Sequence, residues 1–130
     1  MREEATWEEI LQLRDLKKFP LVNDALEPVY RNIYPLMQME VKAVMDALAT
    51  YNISVIIFGS ALTMRCNVTS DLDICIRTKE YDLEIFHEIQ KIILNSTGVD
   101  CDVIYYNDLS ADDRIKKEID TNGFCIKEMR

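Results

Sequence analysis

The sequence predicts a mixed α/β domain, a small β-sheet flanked by helices and preceded by a helical extension. Two observations carry that prediction. Apolar residues recur at helical spacing in some windows and run almost unbroken for five or six residues in others, and the two patterns alternate along the chain. The length of 130 residues, with 48% hydrophobic and 29% charged residues, suits one domain built on one core. Residues 1–130 are therefore expected to form a single domain, with 1–35 as the helical extension and 36–126 as the core.

Taken in order, Thr6-Trp7-Glu8-Glu9 reads as a capping box. It opens a helix with Trp7, Ile10, Leu11 and Leu13 for packing, which ends before Phe19-Pro20. Pro28 and Pro35 interrupt any long helix between 20 and 35, although each suits a first helical turn. From Leu36 onward Met37, Val41, Val44, Met45 and Leu48 share a helical face, with Asn52 as the stop. Residues 53–58 are a short apolar run, as in a strand covered on both faces, and Gly59 ends it. One or two helical turns over 60–66 and a loop over 67–70 lead to a second strand over 72–77. A helix over 78–96 buries Leu83, Phe86, Ile89 and Ile93, and Gly98 stops it. A third strand spans 99–106. Ser110 then caps a helix whose first turn carries Asp112 and Asp113, favourable against the helix dipole. Gly123 closes that helix, and 124–126 form a last short strand.

Composition excludes several classes. The formal net charge of −8 argues against a protein that grips long nucleic acid through its phosphates, which needs a basic groove. It suits a small anionic substrate brought in by metal ions, or a basic protein partner. No segment approaches the ~20 apolar residues of a membrane span, and the acidic start MREEATWEEI is unlike a secretory signal. A cytoplasmic protein without membrane contact is expected. Cys66, Cys75, Cys101 and Cys125 lack zinc spacing and read as buried or half-buried thiols. The N-x-T triplets at Asn67 and Asn95 would matter only in a secreted chain.

The chemistry concentrates in FGSALTMRCNVTSDLDICI, residues 58–76. Asp71 and Asp73 are one residue apart at a strand, so their like charges share a side of the backbone. Asp100 and Asp102 repeat the pattern on the third strand. Carboxylates from two neighbouring strands converge readily on a divalent cation, and oxygen-only ligation completed by water and phosphate is what Mg²⁺ favours. Two such ions clamp a phosphoryl centre during in-line attack. Gly59 and Ser60 would supply the other half, a close backbone approach and donors for phosphate oxygens. Ser60 as a simple helix cap, and the acids as turn and edge-strand residues, are the alternatives.

Gly59-Ser60, nine intervening residues and Ser70-Asp71-Leu72-Asp73-Ile74 resemble the GS…SDxD signature of the DNA polymerase beta-like nucleotidyltransferase superfamily, especially its small single-domain bacterial members. The closing Ile119-Asp120-Thr121-Asn122-Gly123-Phe124-Cys125-Ile126 is similar to the family's helix, glycine, short-strand ending. The likeness covers roughly residues 36–126. It implies the nucleotidyltransferase fold and transfer of a nucleoside monophosphate, AMP from ATP, to an acceptor hydroxyl with release of pyrophosphate. Asp71 and Asp73 would ligate two Mg²⁺ ions, Asp102 would ligate one and assist proton removal, and Asp100 is its competitor on the same face. Gly59, Ser60, Ser70 and Arg65 would meet the nucleotide. Where small members carry basic residues after Gly-Ser, this chain has Ala61, Leu62, Thr63 and Met64. Arg65 stays nearby; Arg77 after a strand and Lys79 at a helix start are candidate substitutes, with plain solvated charges as the alternative reading. The resemblance further implies a HEPN-type helical partner modified by an antitoxin. A non-catalytic antitoxin or regulatory module on the same fold and an aminoglycoside-modifying enzyme are the other readings.

Overall fold

The computed structural model describes residues 33–63, 66 and 70–130. The expected helix behind Thr6, the start of the extension and Arg65 lie outside the described residues. Within them the chain folds as Pro35–Ala47 (α1), Ser54–Phe58 (β1), a 3-10 turn at Gly59–Leu62, Leu72–Arg77 (β2), Leu83–Ser96 (α2), Cys101–Tyr105 (β3), a second 3-10 turn at Tyr106–Asp108, Arg114–Asn122 (α3) and Phe124–Lys127 (β4). The four strands form one mixed sheet in the order β3-β2-β1-β4. β1 runs antiparallel to both β2 and β4. β2 and β3 are parallel, which requires the long crossover that α2 provides. The expected α/β class is borne out.

Alternation along the strands sorts side chains onto two faces. Val55, Ile57, Leu72, Ile74, Ile76, Val103 and Tyr105 pack with Met37, Val41 and Val44 of α1 and Phe86, Ile89 and Ile93 of α2. The opposite face carries a smaller cluster in which Phe58 and Cys75 meet Ile119 of α3. One short helix does not cover a whole face of the sheet, and the uncovered part is where Asp73 lies.

Several boundaries differ from the sequence reading. α1 stops at Ala47 rather than Asn52, because the Ala49 amide tightens onto Asp46 at 3.4 Å and the backbone turns there. α2 begins at Leu83 rather than residue 78. Asp82 is its cap, Oδ1 accepting from the Ile85 amide at 3.1 Å. Residues 78–82 instead tie β2 to β3, with the Thr78 amide donating to Asn107 Oδ1 at 3.0 Å and Asn107 Nδ2 donating back to the Thr78 carbonyl at 2.9 Å. α3 is capped by Asp113, not Ser110: Asp113 Oδ1 accepts from the Ile115 amide at 2.8 Å. β3 begins at Cys101 rather than residue 99. Cys66 and Cys75 are buried as expected and Cys101 half-buried, but Cys125 is exposed, on edge strand β4. Among the described residues no helix is long and apolar enough to cross a membrane.

Tyr105 is the polar keystone of the larger core. Its ring stacks on Phe86 with centroids 4.6 Å apart, and its hydroxyl joins Thr78 Oγ1 at 2.5 Å and accepts from the Asp82 amide at 2.9 Å. Tyr105→Phe keeps the stack and leaves these groups short of a partner. The expected loss is about 1–3 kcal/mol, read as a lower urea midpoint at an unchanged slope.

Candidate functional site

The Asp71–Asp73 and Asp100–Asp102 patterns meet because β2 and β3 are parallel and in register. Asp73 is paired with Asp102, and one step earlier Leu72 is paired with Cys101. Both aspartates occupy the face opposite the α1–α2 core. The Leu72 amide donates to the Asp100 carbonyl at 2.9 Å, which closes the ladder just beyond the strand ends. Asp71 immediately precedes β2 and is exposed, as is Asp102, while Asp73 is half-buried.

Asp73 carries the electrostatic signature of the cluster. Burial, then the charge of Asp102, then that of Asp71 push its carboxyl up from 3.8 to about 6. Asp100 is not among the groups acting on it, so register and charge both set Asp102, rather than Asp100, beside Asp73. The ion pairs among the described residues, Lys42–Asp46 and Lys116–Asp120, are on the helices and leave these three acids uncompensated. No three ligating side chains among the described residues are drawn together into a closed metal cage. The donor set is nonetheless oxygen-only and mutually repulsive. It fits a hard divalent cation that keeps waters and takes one or two carboxylates.

Gly59 closes the other side. It follows the end of β1, where Phe58 is opposite Asp73, and its φ is +78°. A Cβ built on it would lie 2.2 Å from Asp73 Oδ2, so backbone and carboxylate are in contact only because the residue is glycine. The turn that follows is anchored from beneath: Ala61 is fully buried and its carbonyl accepts from the Tyr34 amide at 2.9 Å. Ser60 is half-buried in the same turn, and its carbonyl accepts from the Thr63 amide at 2.9 Å. Ser70 hydrogen-bonds the buried Cys66 thiol, which ties the segment before β2 to the core.

Other residues named from sequence fall elsewhere. Arg77 is at the far end of β2, opposite Ser54, with its guanidinium 5.3 Å from the Tyr106 ring centroid. It lies four positions along β2 from Asp73, about 13 Å. Lys79 lies further on, in a groove of about 470 Å³ whose wall includes Tyr51, Ile53, Tyr81 and Ile85. Neither stands in for a triphosphate-binding cation. The one histidine of the sequence, His87, is exposed on α2. Sequence reasoning missed Glu118 and Asn122, which with Gly59, Leu62 and Thr63 line a cavity of about 280 Å³. Their four-residue spacing before Gly123 was the available signal.

No curated protein matches the chain. The sequence model of the family described as "Polymerase beta, Nucleotidyltransferase" matches residues 42–129, which takes in Gly59, Ser60 and all the acids discussed above. With that match over a fold of this topology, the chain belongs to the polymerase beta nucleotidyltransferase family and carries its transferase domain.

Proposed function

We propose that the protein transfers AMP from ATP to an acceptor hydroxyl on a helical, HEPN-type protein partner, releasing pyrophosphate and acting as that partner's antitoxin. The observation that carries the reading is Asp73 held against Gly59 and flanked by Asp71 and Asp102, three acids with no compensating cation among the described residues. Asp71 and Asp73 would hold two Mg²⁺ ions, and Asp102 would share one of them. Bound there, the ions supply charge neutralisation and alignment of the phosphoryl group. Gly59 and Ser60 would lie along the β- and γ-phosphates, with Ser70 and Arg65 completing the nucleotide contacts. Asp102, exposed on β3, would accept the proton of the attacking hydroxyl as its oxygen bonds to the α-phosphorus and the bond to pyrophosphate breaks. A protein acceptor is compatible with the acidic chain, at −8, which suits a basic partner surface.

A second reading, a non-catalytic binding module on the same fold, is favoured by one observation: the Gly59–Leu62 turn and Thr63 supply no basic side chain. Incubation of the protein with ATP, Mg²⁺ and a candidate HEPN-type helical partner, followed by intact-mass measurement, separates the two. The expected result is a partner heavier by one or more AMP groups, with pyrophosphate released in equal amount. An unmodified partner that nevertheless co-purifies as a complex would establish the binding module instead.

A further inference from the structure

The cavity between the Gly59–Leu62 turn and the end of α3 has a consistent electrostatic sign. Glu118 and Asn122 face it from the last turns of α3, and Asn122 is the final residue of that helix. Asn122 Nδ2 donates to Glu118 Oε1 at 3.1 Å, so an amide hydrogen is spent on the carboxylate and Oδ1 remains as an acceptor. The C-terminal end of a helix adds partial negative charge, and the last turn of α3 has no basic residue to offset it. Leu62 supplies an apolar wall, and among the described residues no Lys or Arg contributes to the lining. Such a cavity repels phosphate and attracts a cation. Its volume of about 280 Å³ suits a side chain better than a whole nucleotide, since drug-sized ligands occupy roughly 300–1,000 Å³.

Gly59 is a wall of this cavity and also the residue pressed against Asp73. A cation held here would stand next to the phosphate end of the acid cluster, where the described turn carries no basic residue of its own. We infer that the cavity takes a guanidinium side chain from the protein partner, gripped by Glu118 and Asn122, so that the partner completes the nucleotide site. An arginine suits it better than a lysine because its planar fork serves a carboxylate and a second acceptor at once. The inference rests on the transferase reading for its role, but not for the binding itself.

The test is a titration of the isotope-labelled full chain with N-acetyl-argininamide, with N-acetyl-citrullinamide as the neutral isostere, followed by amide chemical shifts. Saturable shifts are expected at Gly59, Leu62, Thr63 and Asn122 with the arginine probe and not with the citrulline one. Glu118→Gln, at an exposed position that leaves the fold intact, should weaken the arginine probe by about fivefold. Equal response to both probes, shifts away from the cavity, or indifference to Glu118→Gln overturns the inference. A parallel titration with Mg²⁺ and ATP keeps the two readings apart. If nucleotide leaves the amides of Asp73 and Asp102 unmoved while the arginine probe still saturates, the transferase reading fails and the cavity assignment stands. If nucleotide binds and the arginine probe does not, the reverse holds.

Discussion

Asp73→Asn is expected to make the metal-free protein more stable while abolishing nucleotidyl transfer. A carboxyl raised from 3.8 to about 6 marks a folded state that disfavours its ionised form. At full weight that rise corresponds to ~3 kcal/mol, and solvent screening at a half-buried site reduces it to roughly 1–2 kcal/mol. The folded chain holds this proton more tightly than the unfolded one, so the contribution of Asp73 to stability is fully present below pH 3.8, declines as pH rises toward about 6, and changes no further above. The Asn variant lacks that decline. At pH 7.5 it should melt about 3–8 °C above the parent, and at pH 3.5 the two should coincide. Millimolar Mg²⁺ should raise the melting temperature of the parent and not of the variant, because the cation relieves a repulsion the amide no longer has. Transfer should fall by at least about 10²–10³-fold. An Asn variant that turns over as fast as the parent would remove Asp73 from the chemistry. One that is no more stable at pH 7.5 would remove the repulsion.

Gly59→Ala should be destabilising out of proportion to one methyl group. Two costs are superimposed. The φ of +78° is strained for any L side chain, a cost of about 1–3 kcal/mol. The new Cβ would also lie 2.2 Å from Asp73 Oδ2 and 3.1 Å from its Cγ, so the carboxylate must swing out of the cluster. The second cost depends on Asp73 and the first does not, and a double-mutant cycle separates them. In the Asp73→Ala background the penalty of Gly59→Ala should shrink to the strain alone. Strict additivity of the two substitutions in denaturant unfolding would show that the glycine and the acid are not in contact. Transfer by Gly59→Ala should be lost even where the protein remains folded, since the displaced carboxylate is a proposed metal ligand.

Much of this was legible along the chain. The strand at residues 72–77 has the bounds its apolar alternation indicates, and Pro35 opens α1 as a first-turn proline does. The helix starts were less legible. Asp82 and Asp113 won over residue 78 and Ser110 as caps, because the side chains of Thr78 and Ser110 were committed to turns: Thr78 Oγ1 donates to the Glu80 carbonyl at 2.7 Å, and Ser110 Oγ donates to Asp112 Oδ1 at 3.0 Å. For Arg77 the sequence left both a phosphate ligand and a solvated charge open, and strand rise along β2 carries it to the Tyr106 ring.

Local sequence determined that two strands would each present acids to one face and that a glycine would precede the first pair, because side-chain alternation and glycine's backbone freedom are properties of the chain itself. Which acids become neighbours was decided by the sheet. Parallel pairing of β2 with β3 set Asp73 beside Asp102 and left Asp100 beyond the strand. The cavity at Glu118 and Asn122 exists only because α3 packs through Ile119 on Phe58 and Cys75, bringing its C-terminal turn against Gly59. Register and packing join residues dozens of positions apart, and no local pattern encodes the distance between them.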